Sequence, residues 1–362
     1  MAPTPRPGIL DIAPYKGGQA HLQGFERVAR LASNENPLGP SPDAVQAYVE
    51  LADDLHRYPD GGSTVLRGAM GDVHGLDPER MVCGAGSDEL IALLVRAYAG
   101  PGDEVVHSRH GFLMYPIAAT TAGATAIAAS ETDLTTDVDS ILNCVTERTR
   151  LVFLANPNNP TGTYLSDASL RRLHAGLPDD VLLVIDAAYA EYADAPDYAD
   201  GAALVEESDN VVMTRTFSKI HGLAALRLGW AYGPLEVVDV LNRLRGPFNV
   251  SKPAQVAGVA GIRDRDHVAR SVEHNRRWRH WFRQQVAQAG FTALPSEANF
   301  VLIALDSPGS AKRLESHFKQ HGVLVREMSK YHLPSHLRVS IGVETDMRQA
   351  AEALFAFDEA AS

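Results

Sequence analysis

The chain predicts an α/β fold, with a large domain built on a mainly parallel sheet flanked by helices and a smaller α+β domain at the C-terminal end. Three observations predict it. From about residue 43, short apolar runs alternate with helical stretches, an order that gives parallel strands joined by right-handed crossovers. Val181-Leu182-Leu183-Val184-Ile185 is apolar at every position, as a strand buried on both faces requires. The alternation stops at Arg245-Gly246-Pro247, where glycine and proline end a helix and mark a boundary. The expected organisation is an arm over 1–28, a large domain over 29–245 and a small domain over 246–362.

Turn residues dominate the arm and no periodicity is visible there. The first strand–helix unit is 81–83 followed by 87–98. A strand at 104–107 precedes a helix over 112–122, and a strand at 126–129 precedes a helix over 138–146. The strand 151–154 leads to a helix near 166–175. Strands at 181–185, 211–216 and 226–232 follow, then a helix over 235–244. Beyond the boundary the pattern predicts one long helical stretch from 253 to about 289, stopped by Gly290, and strands at 299–304, 323–326 and 337–341 mixed with helices.

Composition agrees with a soluble globular protein. The chain has 362 residues, 45% hydrophobic and 22% charged, with a formal net charge of −12. That length suits one large domain and a smaller one. The negative charge argues against nucleic acid and anionic membranes as partners, so an anionic substrate needs a local basic site. Cys83 and Cys144 form no disulfide framework and read as reduced core thiols of a cytoplasmic protein. The first twenty residues are rich in Pro and Gly and lack an apolar core, so no signal peptide is expected. His332 and His336 have helical ligand spacing, but Pro334 between them argues against a helix and a metal site.

The chemistry centres on Lys219, in Thr216-Phe217-Ser218-Lys219 at the end of the apolar strand 211–216. A strand-end lysine can simply snorkel to solvent. Held in a desolvated site, its amine loses pKa and becomes a Schiff-base nucleophile. Thr216, Ser218 and Arg227 are groups that gather around a phosphate monoester, so the set points to pyridoxal 5'-phosphate. Two further strand ends carry matching groups. Asn159 sits in Asn158-Asn159-Pro160-Thr161-Gly162 after the strand 151–154, a loop whose Pro and Gly fix the backbone. Asp186 ends the strand 181–185, on the side where open α/β sheets bind ligands. An acid there holds a pyridinium nitrogen protonated and makes the ring an electron sink. Gly84-Ala85-Gly86-Ser87-Asp88 joins a strand to a helix start, an anion site by its free N–H groups and dipole. Ser87 and Asp88 are assigned to the cofactor phosphate, Asp88 through its N–H alone.

These motifs resemble the fold-type I PLP-dependent aminotransferases, and within them the histidinol-phosphate aminotransferase family. The supporting stretches are Ser33-Asn34-Glu35-Asn36-Pro37, Arg57-Tyr58-Pro59-Asp60, Gly84 to Glu89, Asn158 to Gly162, Asp186-Ala187-Ala188-Tyr189, Phe217-Ser218-Lys219 and Leu337 to Gly342. They run over nearly the whole chain. Ala187 stands where the family commonly has Glu, and His221 where Tyr or Phe is commoner.

The resemblance implies a fold-type I PLP-transferase that carries the amino group of L-histidinol phosphate to 2-oxoglutarate in histidine biosynthesis. Aromatic amino-acid transamination and PLP-dependent phosphothreonine decarboxylation are the alternatives on a similar scaffold. It implies Lys219 as proton carrier, Phe112 stacked on the pyridine ring, and Tyr189 with Asn159 at the 3'-oxygen. Arg227 matches the family's phosphate arginine. Tyr58 matches a tyrosine that reaches the cofactor phosphate of the neighbouring subunit, which implies a homodimer with shared active sites. Arg338 matches the arginine that takes the substrate's far anion. Tyr15 and Asn34 match N-terminal substrate positions, and Arg326 is a further candidate for the substrate phosphate.

Overall fold

The computed structural model describes residues 3–14 and 21–358. The short strand β1 (Ala29–Arg30) is followed by helices α1 (Pro42–Glu50) and α2 (Thr64–His74). α1 starts where Ser41 Oγ accepts a 3.1 Å hydrogen bond from Ala44 N and proline fills the first turn, both ordinary helix-start devices. Next come β2 (Met81–Gly84), α3 (Ser87–Tyr98), β3 (Glu104–Ser108), α4 (Met114–Ala122), β4 (Thr125–Ala129) and the small hairpin β5 (Glu131–Thr132) and β6 (Thr135–Thr136). Then follow α5 (Val138–Cys144), β7 (Thr149–Ala155), α6 (Asp167–Ala175), β8 (Leu182–Asp186), α7 (Ala202–Glu206), β9 (Val211–Thr216), β10 (Gly229–Tyr232) and α8 (Leu235–Leu244).

Seven of these strands form one sheet in the order β2-β10-β9-β8-β7-β3-β4. All neighbours are parallel except β10, which runs antiparallel to β2 and β9. β7, β8 and β9 lie at its centre and are buried along their length except at Arg150, which matches strands covered on both faces. Separate apolar clusters fill the two sides of this sheet, one around Met213, Phe217 and Trp230, the other around Tyr115, Phe153 and Val212.

The remaining elements are α9 (Lys252–Arg263), α10 (Arg265–Gln288), β11 (Thr292–Ala293), β12 (Phe300–Ala304), α11 (Pro308–Gln320), β13 (Val323–Leu324), β14 (Arg326–Glu327), β15 (His336–Ser340) and α12 (Glu344–Ala356). β11-β12-β15-β14 form an antiparallel sheet over a third core of Trp278, Phe282, Leu314, Phe318 and Leu354.

Four differences from the sequence reading have physical causes. The long helix expected over 253–289 is broken at Asp264, whose carboxylate accepts from His267 N at 2.9 Å and starts a new helix. The strand expected over 226–232 begins at Gly229, because Ala224–Leu226 forms a tight turn and Arg227 adopts a left-handed backbone. Packing does not change at the expected boundary near Arg245. Val250, Ala254, Ala257 and Ile262 join the first core, while Ala29 and Leu31 join the third. A turn signal marks where a helix ends, not which sheet the next helix covers. Finally, Cys144 is only half-buried, whereas Cys83 is a buried thiol that burial pushes up to about 12.

One strap ties the two sheets together. β1 pairs with β13, Leu31 O accepts from Ser340 N at 2.9 Å, and Asn36 Nδ2 donates to Ile220 O at 2.6 Å. The segment 29–36 therefore runs from the small sheet to the turn that carries Lys219.

Candidate active site

Because β7, β8 and β9 are parallel, their carboxyl ends open on one side, and the loops leaving them meet there. A cavity of about 370 Å³ lies at that edge. Its walls include Ser87, Asp88, Phe112, Asn159, Asp186, Tyr189, Thr216, Ser218, Lys219 and Arg227 from the large sheet, with Asn34, Arg326 and Arg338 from the strap and small sheet. Thirteen positions singled out in the sequence thus share one cavity.

Lys219 follows β9 and points inward. Its Nζ donates to Ser33 O at 3.2 Å and lies 5.8 Å from the centre of the Tyr189 ring. Burial drops the ammonium to about 8, reinforced by the cations of Arg338 and Arg227 and opposed by Glu35 and Asp186. A substantial neutral fraction near neutral pH makes the amine a competent nucleophile and base.

Asp186 ends β8 and is buried. Burial raises its carboxyl to about 6, and hydrogen bonds oppose that rise. Tyr115 donates its hydroxyl to Oδ2 at 2.8 Å, and Thr214 Oγ1 donates to Oδ1 at 3.3 Å.

The opposite wall is an anion cradle. α3 begins after Gly86, which lies at φ 93° and supplies no side-chain cap, so the first N–H groups remain directed at the cavity. Arg227 sits at φ 52°, a strained backbone of the kind that gathers at functional sites. Its guanidinium donates to Ser218 Oγ at 3.3 Å and to the Asp88 carboxylate at 2.6 Å. Ser218 N donates to Thr216 Oγ1 at 3.1 Å. A Cβ on Gly86 would come within 2.4 Å of the Arg227 Nη2, and one on Gly229 within 2.4 Å of Ser87 N. Hydroxyls, helix N–H groups and a guanidinium, packed where only glycine fits, match the donors a phosphate monoester needs. The Asp88–Arg227 pair was not legible in the sequence, since those residues lie 139 positions apart.

The small sheet supplies the third wall. Arg338 of β15 donates to Asn159 Oδ1 and, at 3.1 Å, to Ala32 O. It also lies 5.2 Å over the Phe300 ring, and its Nε is buried without a hydrogen-bond partner. Arg326 stands opposite Arg338 in the β14–β15 register. Asn34 Nδ2 donates to the Tyr189 hydroxyl oxygen at 2.9 Å, and Ser340 Oγ donates to Asn34 Oδ1 at 2.8 Å.

Two sequence candidates stand apart. Tyr58 is 80% exposed, outside the cavity, with its ring stacked on Phe248 at 4.6 Å. Tyr15 lies outside the described residues. Sequence reading missed Tyr115, which binds Asp186, and Tyr331, which lines the same cavity. A tyrosine in an apolar stretch signals a buried hydroxyl that needs a partner, but not which partner.

Residues 26–354 match the family model described as aminotransferase class I and II. The chain is 57% identical over 353 residues to the histidinol-phosphate aminotransferase of Rhodospirillum centenum, covering 97% of this chain and 98% of that one. It is 53% identical over 354 residues to the enzyme of the same name from Dinoroseobacter shibae, covering 98% of each. Among solved structures, histidinol-phosphate aminotransferase from Sinorhizobium meliloti in complex with pyridoxal-5'-phosphate aligns with a TM-score of 0.86 at 27% identity, over 91% of this chain and 90% of that one. Aspartate aminotransferase from Thermus thermophilus, as a single mutant, shares the fold with a TM-score of 0.80 at 23% identity, over 92% of each chain.

Proposed function

The chain belongs to the aminotransferase class I and II family, and from that membership we propose that it transfers the amino group of L-histidinol phosphate to 2-oxoglutarate. The products are imidazole-acetol phosphate and L-glutamate, the cofactor is pyridoxal 5'-phosphate, and the reaction serves histidine biosynthesis. One observation carries the reading. A relative of that name, 57% identical across nearly the whole chain, is matched here by a cavity that joins a depressed lysine, a buried acid and a pair of arginines.

When bound, pyridoxal phosphate supplies an aldehyde that condenses with amines and a ring that withdraws electrons from the amine-bearing carbon. Everything else falls to the chain. Lys219 is the nucleophile, and its amine carries the proton from the amine-bearing carbon as base and then acid. Asp186 holds a proton on the ring nitrogen, and Tyr189 with Asn159 donates toward the 3'-oxygen. Phe112 covers one ring face. Ser87, Thr216, Ser218, Arg227 and the Asp88 N–H hold the phosphate. Arg338, with Arg326, Asn34 and Tyr15, receives the substrate phosphate.

Tyr58 completes the site of a second subunit in this reading. Val45, Tyr48, Val49, Leu55 and Val65 are exposed along the same stretch of chain, an apolar set suited to a homodimer interface. Among the described residues no helix is long and apolar enough to cross a membrane. The two free cysteines, Cys83 and Cys144, support placing the enzyme in the reducing cytoplasm.

The test is a panel of amino donors mixed with the cofactor-loaded enzyme, read by the loss of its visible absorbance in one turnover. Histidinol phosphate is expected to react at least tenfold more efficiently than phenylalanine, the advantage of one extra charge-assisted contact of about 1.5–3 kcal/mol. Preference for phenylalanine, or carbon dioxide release from threonine phosphate, would overturn the assignment.

A further inference from the structure

α4 and the residues before it deliver two aromatic side chains to two different places. Phe112 lines the cavity, while Tyr115 points into the sheet and does not. The Tyr115 side chain is wholly buried. Its ring stacks on Phe153 of β7 at 4.7 Å with 11° between the planes, and meets Phe112 edge-on at 5.9 Å. Packed from two sides, the ring has little freedom, and its hydroxyl is delivered to Asp186 Oδ2 at 2.8 Å.

We infer that Tyr115 is a positioning residue for the reaction: its hydroxyl engages one oxygen of Asp186, keeps that carboxylate charged, and aims the other oxygen at the cavity. The inference rests on the reading of Asp186 as the partner of the cofactor's ring nitrogen.

Charge is the difficulty at this position. Asp186 is buried, and burial favours its neutral acid. A neutral acid cannot hold a proton on a ring nitrogen, because it brings no charge to stabilise the cation. Three donors oppose the neutral form, led by Tyr115 and followed by Thr214 Oγ1 and the Ala188 N–H. Of the two side-chain donors, Tyr115 is the nearer, at 2.8 Å against 3.3 Å. The other charges acting on Asp186 divide: Asp88 raises it further, while it and Lys219 attract each other. The phenol is a dependable donor, since burial first, and then the Asp186 charge, hold it well above its usual value. It stays protonated across the working range.

A tyrosine that merely finds the nearest acceptor has the same contact, so the test must read the carboxylate itself. Tyr115→Phe removes only the hydroxyl and keeps both ring contacts. In the full chain without cofactor, the Asp186 carboxyl is titrated by infrared difference against Asp186→Asn. The midpoint is expected to rise by about one unit in Tyr115→Phe, the size of one lost hydrogen bond to a charged group. Pyridoxal phosphate, measured by equilibrium dialysis, is expected to bind about tenfold more weakly, and kcat to fall with KM for the amino donor unchanged. In the Asp186→Asn background, adding Tyr115→Phe is expected to change dialysis and kcat less than twofold, because the carboxylate charge that Tyr115 maintains is already gone. Difluorotyrosine at position 115, a more acidic donor, is expected to move the midpoint the other way, and it guards against a folding effect of the phenylalanine variant. An unmoved midpoint in both variants overturns the inference, as does an equal loss with and without the Asp186 carboxylate. Impaired Asp186→Asn beside a normal Tyr115→Phe overturns the inference alone. Asp186→Asn that binds and turns over normally overturns the reading beneath it as well.

Discussion

Asn34 Nδ2 donates a 2.9 Å hydrogen bond to the hydroxyl oxygen of Tyr189, joining the strap from the small sheet to the turn after β8. The same asparagine accepts from Ser340 Oγ on β15 at 2.8 Å. Its backbone lies at φ 56°, a left-handed position that Asn tolerates better than most residues. One buried side chain therefore links the small-sheet wall of the cavity to its large-sheet wall.

Tyr189→Phe deprives the Asn34 amide of this acceptor in a buried site, at a cost of about 1–3 kcal/mol. The thermal midpoint is expected to fall and kcat to drop with it. Asn34→Ala is expected to be worse than Asn34→Gly, because alanine adds strain at the same φ. Equal melting of those two variants, followed by circular dichroism, would show that the backbone position does not matter.

Lys219 is a functional liability that stability measurements can expose. Its ammonium falls to about 8 in the fold, from an ordinary 10.5. Between these values the unfolded chain binds the extra proton, so stability rises with pH across that window. Below about 8 the full burden remains, and above 10.5 it vanishes. Lys219→Met in cofactor-free protein is therefore expected to melt higher at pH 7, by a stability gain on the order of 1–3 kcal/mol. Its catalytic turnover is expected to be abolished. Denaturant titration at pH 7 and pH 11 checks both sides, and a destabilised Met variant at pH 7 contradicts the burial argument.

Gly86→Ala tests the anion cradle without removing any charged group. The added Cβ meets Arg227 Nη2 at 2.4 Å and Asp88 Oδ1 at 2.3 Å, at a φ of 93°. Both atoms are side-chain ends, so they move aside and the fold survives with a loss of about 1–2 kcal/mol. The displaced Arg227 then addresses the phosphate poorly. Cofactor affinity, followed by dialysis, is expected to weaken by at least about tenfold, the loss of one charge-assisted bond. Unaltered affinity would mean that Arg227 is not a phosphate ligand.

Asn159, Asp186 and Lys219 were legible because each lies at or just past the end of an apolar run, and a parallel sheet must bring such ends to one edge. The helix at 87–98 and the strand at 211–216 were legible to the residue, since a Gly-rich loop and a hydrophobic run bound them. What escaped has a common cause. Tyr115 and Asp186, Asp88 and Arg227, and Arg338 and Asn159 are pairs between distant segments. Spacing along a chain carries no information about which turn crosses which. The break at Asp264 escaped for the opposite reason: a side-chain cap at a single residue is too local to disturb a helical period.

Arg338 carries the last prediction. It is buried, sits over Phe300, donates to Asn159 and Ala32 O, and keeps Nε without a partner. That spare donor, with Arg326 beside it in register, suits a dianionic phosphate better than a single carboxylate. Histidinol phosphate has no carboxylate, so its phosphate is the only anion available for the pair. Arg338→Ala is expected to raise KM for histidinol phosphate by well over tenfold, the consequence of losing about 2–5 kcal/mol from a closed charged contact. Dephosphorylated histidinol never used the contact, but it still depends on Asn159. A small loss for histidinol is therefore expected, from the freed Asn159 amide alone, and the difference between the two substrates isolates phosphate recognition. Arg338→Lys is expected to recover only part of the difference, because a lysine lacks the planar fork that serves Asn159 and an anion together. Steady-state kinetics with both substrates decide it: equal losses for the two make Arg338 a structural partner of Asn159, and leave Arg326 as the arginine that reads the phosphate.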